Sequence, residues 1–211
     1  MNRSRVEAFS DGVFAIAITL LVLTISEPTS FLNLGTQLAH RWPSFFAYAV
    51  SFAIIGIMWI NHHAVLENVR QIDRKFVYLN FLLLMTIAFL PYTTGVLGGA
   101  LASGESTRTA AVFYSSVMAI NAYAWVALWL YASVGRRLLD QKLPESLRSI
   151  VTKLFGVGVI LYTIAVGVAF LNAYVALALQ ALFAIYYGLD PISRRVARAS
   201  AQVQVNRADN A

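Results

Sequence analysis

The sequence predicts an all-α, polytopic membrane protein with six transmembrane helices. Of its 211 residues, 59% are hydrophobic and only 12% are charged, and the mean hydropathy is +0.66. Apolar stretches recur along the chain, and each is long enough for a membrane-spanning helix, which needs about 17 to 25 residues. Basic residues are concentrated in alternate connections between these stretches, as is typical of a membrane protein with a fixed orientation.

Four spans follow directly from runs of apolar residues, at 9–25, 42–60, 76–97 and 110–131. The first run follows Arg3 and Arg5, as the apolar part of a secretory signal would. Asp11 lies inside that run, however, and the segment around Ser26 lacks the small-x-small pattern of a cleavage site. We therefore predict that the first run is a true membrane span.

The last apolar stretch, at 154–187, contains no charged residue. As one helix it would measure about 50 Å, whereas the hydrocarbon core of a bilayer is about 30 Å thick. Asn172 is the turn-prone polar residue near its middle. The sequence therefore predicts a hairpin at Asn172 between two short spans, which brings the number of spans to six.

The distribution of Lys and Arg predicts the orientation. Of the 16 basic residues, 14 lie in the N-terminal segment, the second and fourth connections and the C-terminal tail, and the other two are Arg41 and Arg108. The positive-inside rule then places both termini in the cytoplasm. We expect residues 1–190 to form the transmembrane domain and residues 191–211 to form a short, Arg-rich cytoplasmic tail.

Asp11 is the most unusual residue of the first span, because an ionised side chain is costly inside a bilayer. The 100° spacing of a helix places it on one stripe with Ala15, Ile18 and Val22, and we expect this stripe to pack on a neighbouring helix. A second face carries Gly12, Ile16, Thr19, Leu20 and Leu23. Candidate hydrogen-bond donors to Asp11 are Arg5, Arg74, Lys75 and the segment Trp59-Ile60-Asn61-His62-His63 at the end of the second span.

Enzymatic activity is not expected. The sequence lacks Gly-x-Ser-x-Gly, His-Glu-x-x-His, a Gly-rich phosphate loop and a pair of intramembrane carboxylates. It also lacks cysteine, and the adjacent His62 and His63 would point about 100° apart on a helix, so we expect neither a metal site nor a cofactor. Three function classes stay open at this point: a channel, a proton- or ion-coupled transporter that uses Asp11 and His62, and a non-conducting scaffold.

The stretch 5–23, which contains Phe9-Ser10-Asp11-Gly12, resembles the first-helix signature of the transmembrane protein 175 family. Further similarity follows in the same order, at Ser51-Phe52, at Trp59-Ile60-Asn61-His62-His63, and at Arg74, Asn80 and Phe89-Leu90-Pro91. This specific similarity covers about the first 100 residues, and the rest of the chain agrees in hydropathy and in its number of spans.

The resemblance implies a passive, potassium-permeable cation channel of the cell membrane with modest preference for potassium over sodium. A chain with one six-helix unit is expected to form a homotetramer, in which the first helix of each subunit lines a central pore. The partners implied are other copies of the chain, permeant potassium ions and membrane lipids, and nucleic acid is not among them.

The resemblance also assigns roles to individual residues. The constriction, a hydrophobic gate, is expected at Ile16, Leu20 and Leu23, with Thr19 as a hydroxyl layer that contributes to selectivity. A structural polar network is expected from Arg5, Ser10, Asp11, Trp59, Asn61 and His62.

Overall fold

The structure is a computed structural model that describes residues 2–28, 31–136, 138–140 and 143–189. The predicted all-α class is confirmed, because this part of the chain forms seven α-helices and two short 3-10 turns. The helices are α1 (Arg3–Leu20), α2 (Leu34–His40), α3 (Trp42–Glu67), α4 (Arg74–Ser103), α5 (Thr107–Ser133), α6 (Glu145–Leu171) and α7 (Ala173–Leu189). The 3-10 turns, Leu21–Thr24 and Val134–Arg136, continue α1 and α5.

Five helices are long and apolar enough to cross a membrane, namely α1 with its 3-10 turn, α3, α4, α5 and α6. The division of the last apolar stretch is confirmed, since α6 ends at Leu171 and α7 begins at Ala173. Asn172 between them is extended, and its Oδ1 accepts hydrogen bonds from the backbone N–H groups of Tyr174 and Val175 at 2.9 and 3.1 Å. The α7 helix is a sixth, shorter apolar helix, and the predicted tail at 191–211 lies outside the described residues.

The interior is built around α4 and α5. The α4 helix contacts α1, α3 and α5, and α5 contacts α6, while α7 packs against α3, α5 and α6. Close approach of α3 to α4 depends on Gly98, because a Cβ there would lie 3.0 Å from the Cα of Ser44. The Ser44 hydroxyl donates a hydrogen bond to the Gly98 carbonyl oxygen at 2.9 Å, which fixes this contact.

The α1 helix packs through a different stripe from the one predicted. The expectation that Asp11, Ala15, Ile18 and Val22 form the packed face is wrong at Ala15 and Val22, which are exposed, whereas Asp11 and Ile18 are half-buried. The buried stripe is Val6, Ser10, Phe14, Ala17 and Leu21. Burial of the larger Phe14 and Leu21 removes more apolar surface from solvent than burial of Ala15 would, which favours this rotation of the helix.

Candidate functional site

The exposed face of α1 carries the side chains expected at the constriction. Ile16 is 60% exposed, Leu20 42% and Leu23 76%, and Thr19 on the same face is also exposed. The stripe opposite them is fully buried against α3 and α4. The α1 helix therefore has one face fixed inside the bundle and another, rich in branched apolar residues, that is exposed in the part of the chain the structure describes.

The exposed face continues from the α-helix into the 3-10 turn that follows it. Ile16 and Leu20 lie one turn apart on the α-helix, and Leu23 follows in the 3-10 turn Leu21–Thr24, where the chain is wound more tightly. The Thr19 hydroxyl donates to the backbone carbonyl oxygen of Ile16 at 2.9 Å. Because the hydroxyl hydrogen of Thr19 is used in that bond, its oxygen is left as an acceptor for a hydrogen-bond donor or a cation on the exposed face.

A buried chain of hydrogen bonds holds α1 to α3 and α4, and Asn80 of α4 lies at its centre. The ring Nε2–H of His62 donates to Asn80 Oδ1 at 2.8 Å, and the Asn80 amide nitrogen donates to Ser10 Oγ at 3.0 Å. Ser10 in turn donates to the backbone carbonyl oxygen of Val6 at 2.8 Å. Each of these side chains is buried, so the network restricts the rotation of α1 about its own axis.

Aromatic rings enclose the histidine of this network. The His62 ring lies 5.3 Å from the ring of Phe14 and 5.9 Å from that of Trp125, and only 1% of its surface is exposed. His62 therefore links the buried face of α1 to α5 as well as to α4. The sequence placed His62 correctly at the end of the second span, but gave no indication of its aromatic neighbours.

Asp11 has a separate partner at the margin of the bundle. The indole Nε1–H of Trp59 donates to Asp11 Oδ1 at 2.8 Å. Of the donors suggested by the sequence, Trp59 alone reaches Asp11 within the described residues. The Arg5 side chain is exposed and forms no described hydrogen bond or ion pair, and Asn61 is buried with its Oδ1 unpaired. The structure thus brings together Ser10 with His62 through Asn80, and Asp11 with Trp59.

A charged cluster that sequence reasoning missed joins the start of α1 to the end of α3. His63 Nδ1 lies 3.2 Å from Glu7 Oε1, and His63 Nε2 lies 3.4 Å from Glu67 Oε1. Arg3 contacts Glu7 at 3.7 Å and donates to the Glu67 backbone carbonyl oxygen at 3.3 Å. Part of the signal was present in the sequence, since Arg3 with Glu7 and His63 with Glu67 are both spaced four residues apart, but all four residues lie just outside the predicted spans.

Further hydrogen bonds, each joining two or three side chains, lie between α3, α4 and α5. Ser51 Oγ is 2.9 Å from the Tyr114 hydroxyl and 2.8 Å from Thr94 Oγ1, and Asn121 donates to Thr86 Oγ1 at 2.7 Å. These contacts tie α3, α4 and α5 together. Within the described ranges, His, Asp and Glu side chains form no group of three that could hold a metal ion.

Comparison with known proteins identifies the family. The sequence model described as endosomal/lysosomal potassium channel TMEM175 matches residues 5–91. A potassium channel of Streptomyces collinus is 43% identical over 204 residues, which cover 94% of this chain and 99% of that protein. A potassium channel of Chamaesiphon minutus is 39% identical over 189 residues, 88% of this chain and 93% of the relative.

The human endosomal/lysosomal proton channel TMEM175 is 40% identical over 101 residues, which are 43% of this chain and 20% of the human protein. Of these three relatives, the two that match along most of this chain are named potassium channels.

Solved structures agree with the sequence comparison. The crystal structure of a lysosomal potassium-selective channel TMEM175 homologue from Chamaesiphon minutus superposes with a TM-score of 0.81 at 36% identity, covering 89% of this chain and 96% of that one. A variant of the potassium channel MtTMEM175 shares the fold, with a TM-score of 0.63 at 19% identity over 94% of this chain and 93% of that one. The chain therefore belongs to the TMEM175 family, whose members are membrane ion channels and not enzymes.

Proposed function

We propose that this protein is a potassium-permeable channel in which four copies of the chain place their α1 helices around a central pore. In this proposal residues 1–190 form the channel domain in the cell membrane, residues 191–211 form a tail, and both termini lie in the cytoplasm. The observation that carries it is the exposed face of α1, where Ile16, Thr19, Leu20 and Leu23 have no cover within the chain.

The burial of the helices fits a peripheral position for α1 within its own chain. Of the five long apolar helices, α1 has the smallest buried share, 28%, compared with 33% for α6, 39% for α3, 56% for α4 and 61% for α5. A helix that lines a pore between subunits contacts its own chain on one side only, which fits a low share of burial. Lipid would also cover an apolar face, but the exposed Thr19 places a hydroxyl oxygen on the same side, which favours contact with an ion pathway.

The proposed constriction would work by excluding water. Four copies each of Ile16, Leu20 and Leu23 would form three apolar rings, and a narrow apolar ring blocks an ion because the ion cannot shed its hydration shell there. Slight widening would admit water and restore conduction. Thr19 would add a ring of four hydroxyl oxygens, which substitute for hydration less well than stacked carbonyl rings, so we expect only modest selectivity for potassium over sodium.

The polar contacts of α1 would fix the rotation of the helix, so that Ile16, Leu20 and Leu23 of each copy point toward the pore axis. Asn80 holds Ser10, and Trp59 holds Asp11, on the side of α1 that faces its own chain. In this proposal Ser10, Asp11, Trp59 and His62 are positioning residues, since they set the rotation of α1 and do not contact the ion. Arg5 and Asn61, which the family resemblance adds to this network, form no described hydrogen bond with it.

Potassium is proposed as the main permeant ion because the relatives matched over most of the chain are named potassium channels. The human relative named as a proton channel matches 43% of the chain, so protons are the second ion to be measured. A coupled transporter that uses Asp11 and His62 is disfavoured, because these side chains bond to different partners, Trp59 and Asn80.

The test is ion flux into liposomes that contain the purified full-length chain. The proposal predicts passive potassium flux that needs no coupling ion, with a reversal potential under bi-ionic conditions that ranks potassium above sodium. Ile16→Asn should raise flux by wetting the constriction, and Leu23→Ala should alter it. Ile164→Asn, on an exposed face of α6, is the matched control and should leave flux unchanged.

Saturable flux with fixed stoichiometry would instead identify a carrier, and the absence of flux at any voltage or pH would identify a scaffold. Unchanged permeation in both Ile16→Asn and Leu23→Ala would contradict the assigned constriction.

A further inference from the structure

A small cavity lies between α3, α5, α6 and α7, away from the face of α1 described above. Its volume is about 60 Å³. Trp125 and Phe155 form one wall, with their rings stacked at an interplanar angle of 14° and a centroid distance of 5.5 Å. Among the described residues no charged side chain lines the cavity, so its occupant must be uncharged.

Asn61 of α3 provides the polar feature of this cavity. Its residue surface is only 8% exposed, and its Oδ1 has no hydrogen-bond partner in the described part of the chain. Buried amides are almost always hydrogen-bonded, because an unpaired one keeps the full cost of losing its contacts with water. The unpaired Oδ1 of Asn61 at the wall of a cavity therefore points to a ligand that donates a hydrogen bond to it.

Other polar side chains line the same cavity from the three other helices. Tyr187 of α7 donates its hydroxyl to the Leu154 carbonyl oxygen at 3.2 Å, whereas Asn121 and Tyr162 have unused groups. Asn121 of α5 uses its amide nitrogen on Thr86, and its carbonyl oxygen has no described partner. Tyr162 of α6 is buried, and its hydroxyl forms no hydrogen bond among the described residues. A ligand with a hydroxyl group, which both donates and accepts, matches this combination of groups.

A neighbouring surface feature suggests how such a ligand would enter. An apolar groove of about 450 Å³ runs between α3 and α7, and Ile57 and Ala184 line both this groove and the cavity. The two spaces thus share a wall made of two apolar side chains. Because the groove lies between apolar helices, a molecule dissolved in the bilayer would reach it before the cavity.

We propose that this cavity is a binding site for a small, uncharged alcohol whose hydroxyl pairs with the Asn61 amide and whose short apolar body lies against Trp125 and Phe155. The volume sets the size of the ligand. It exceeds the roughly 10 to 15 Å³ that a cavity needs to hold one water molecule, and it is well below the roughly 150 Å³ of a cavity that accepts benzene. A two-carbon alcohol fits this range. The site is independent of ion conduction, so its test does not depend on the proposed function.

The test is a fluorescence titration of the purified full-length chain with 2-bromoethanol, whose bromine quenches nearby tryptophan. We expect a saturable component of quenching that disappears in Trp125→Phe, while the linear quenching of the exposed tryptophans stays. Bromoethane, which has nearly the same body but no hydroxyl, should bind about tenfold more weakly, as expected for one lost hydrogen bond and the unpaired amide left behind.

Two variants locate the site. Asn61→Leu should weaken the saturable component about tenfold, and Ala122→Leu, which fills the cavity and keeps Asn61, should abolish it. Ala88→Leu adds the same side chain at an exposed position of α4 and should change nothing. If Asn61→Leu does not fold, the comparison of 2-bromoethanol with bromoethane still tests the hydroxyl.

Three results would overturn the proposal. Quenching without a saturable component would show that the cavity holds water or nothing. Equal binding of bromoethane would show an apolar site that does not use Asn61. Binding that survives Ala122→Leu would place the ligand elsewhere.

Discussion

Asn80 connects three helices with a single side chain. Its carbonyl oxygen accepts from His62 of α3, and its amide nitrogen donates to Ser10 of α1, while its own backbone belongs to α4. All three side chains are buried. Because buried polar groups lose their contacts with water, removal of the central member leaves the His62 ring N–H without its acceptor and the Ser10 oxygen without its donor.

We therefore predict that Asn80→Leu destabilises the protein by about 2 to 4 kcal/mol, since two buried polar groups each lose a partner at about 1 to 2 kcal/mol. The measurement is the unfolding midpoint of the purified protein in detergent. Tyr78→Phe also removes a polar group from α4, but at an exposed position, and should change the midpoint little. Equal midpoints for Asn80→Leu and the unaltered protein would contradict the network.

The hydrogen bond from Trp59 to Asp11 is tested by a double-mutant cycle. Trp59→Phe and Asp11→Ala should each destabilise the chain, and the double variant should lose about 1 kcal/mol less than the sum. This value is below the roughly 1.5 to 3 kcal/mol of a hydrogen bond to a charged group, because Trp59 is 43% exposed. Trp59→Phe combined with Glu105→Gln, which is distant and exposed, should be additive. Additivity of the first pair as well would exclude the bond.

Individual side chains were predicted from the sequence only in part. The cost of a charge in a span correctly marked Asp11 as a residue that needs a partner, and Trp59 was among the candidates. The role of Asn80 could not be derived, because one Asn in an apolar run has no periodic signal and its partners lie 18 and 70 residues away. The prediction of the packed stripe of α1 was also wrong at Ala15 and Val22. The face of α1 that packs depends on the shapes of α3 and α4, which the sequence of α1 does not contain.

Most helix boundaries follow from local sequence signals, unlike the partners of individual side chains. Asp73 precedes α4 and its Oδ1 accepts from the Phe76 backbone N–H at 2.8 Å, and Gly104 ends that helix with φ +75°. The division at Asn172 was predictable because a bilayer limits helix length. The short α2 was not, since a seven-residue polar helix has too little periodicity to stand out. The change from α-helix to 3-10 turn at Leu21 likewise has no sequence signal.

We predict that Asn172→Ala destabilises the hairpin between α6 and α7 by about 1 kcal/mol, because the first turn of α7 loses the acceptor for two backbone N–H groups. Asn172→Asp keeps an oxygen in the same place and should retain most of the stability. The measurement is the rate of limited proteolysis at this connection, with the unfolding midpoint as a second readout. Equal behaviour of the Ala and Asp variants would contradict the capping role.

At the scale of the whole molecule, the chain leaves one face of its first helix uncovered and fixes the opposite face with a polar network. The proposed conduction along α1 requires several copies around an axis, and closed rotational symmetry is the common arrangement of such assemblies. The family and its fold were predictable from the first 100 residues or so. The number of subunits stays a prediction that follows from the family resemblance.

The most direct test of the central claim is the accessibility of α1 to a reagent in the ion pathway. The chain contains no cysteine, so Leu23→Cys introduces a single thiol. In liposomes that conduct potassium, a charged methanethiosulfonate reagent should block most of the flux through Leu23→Cys, because the attached group would lie in the pore. Ile164→Cys, exposed on α6, should react without loss of flux. Full modification of Leu23→Cys, verified by mass spectrometry, with potassium flux unchanged would contradict a pore lined by α1.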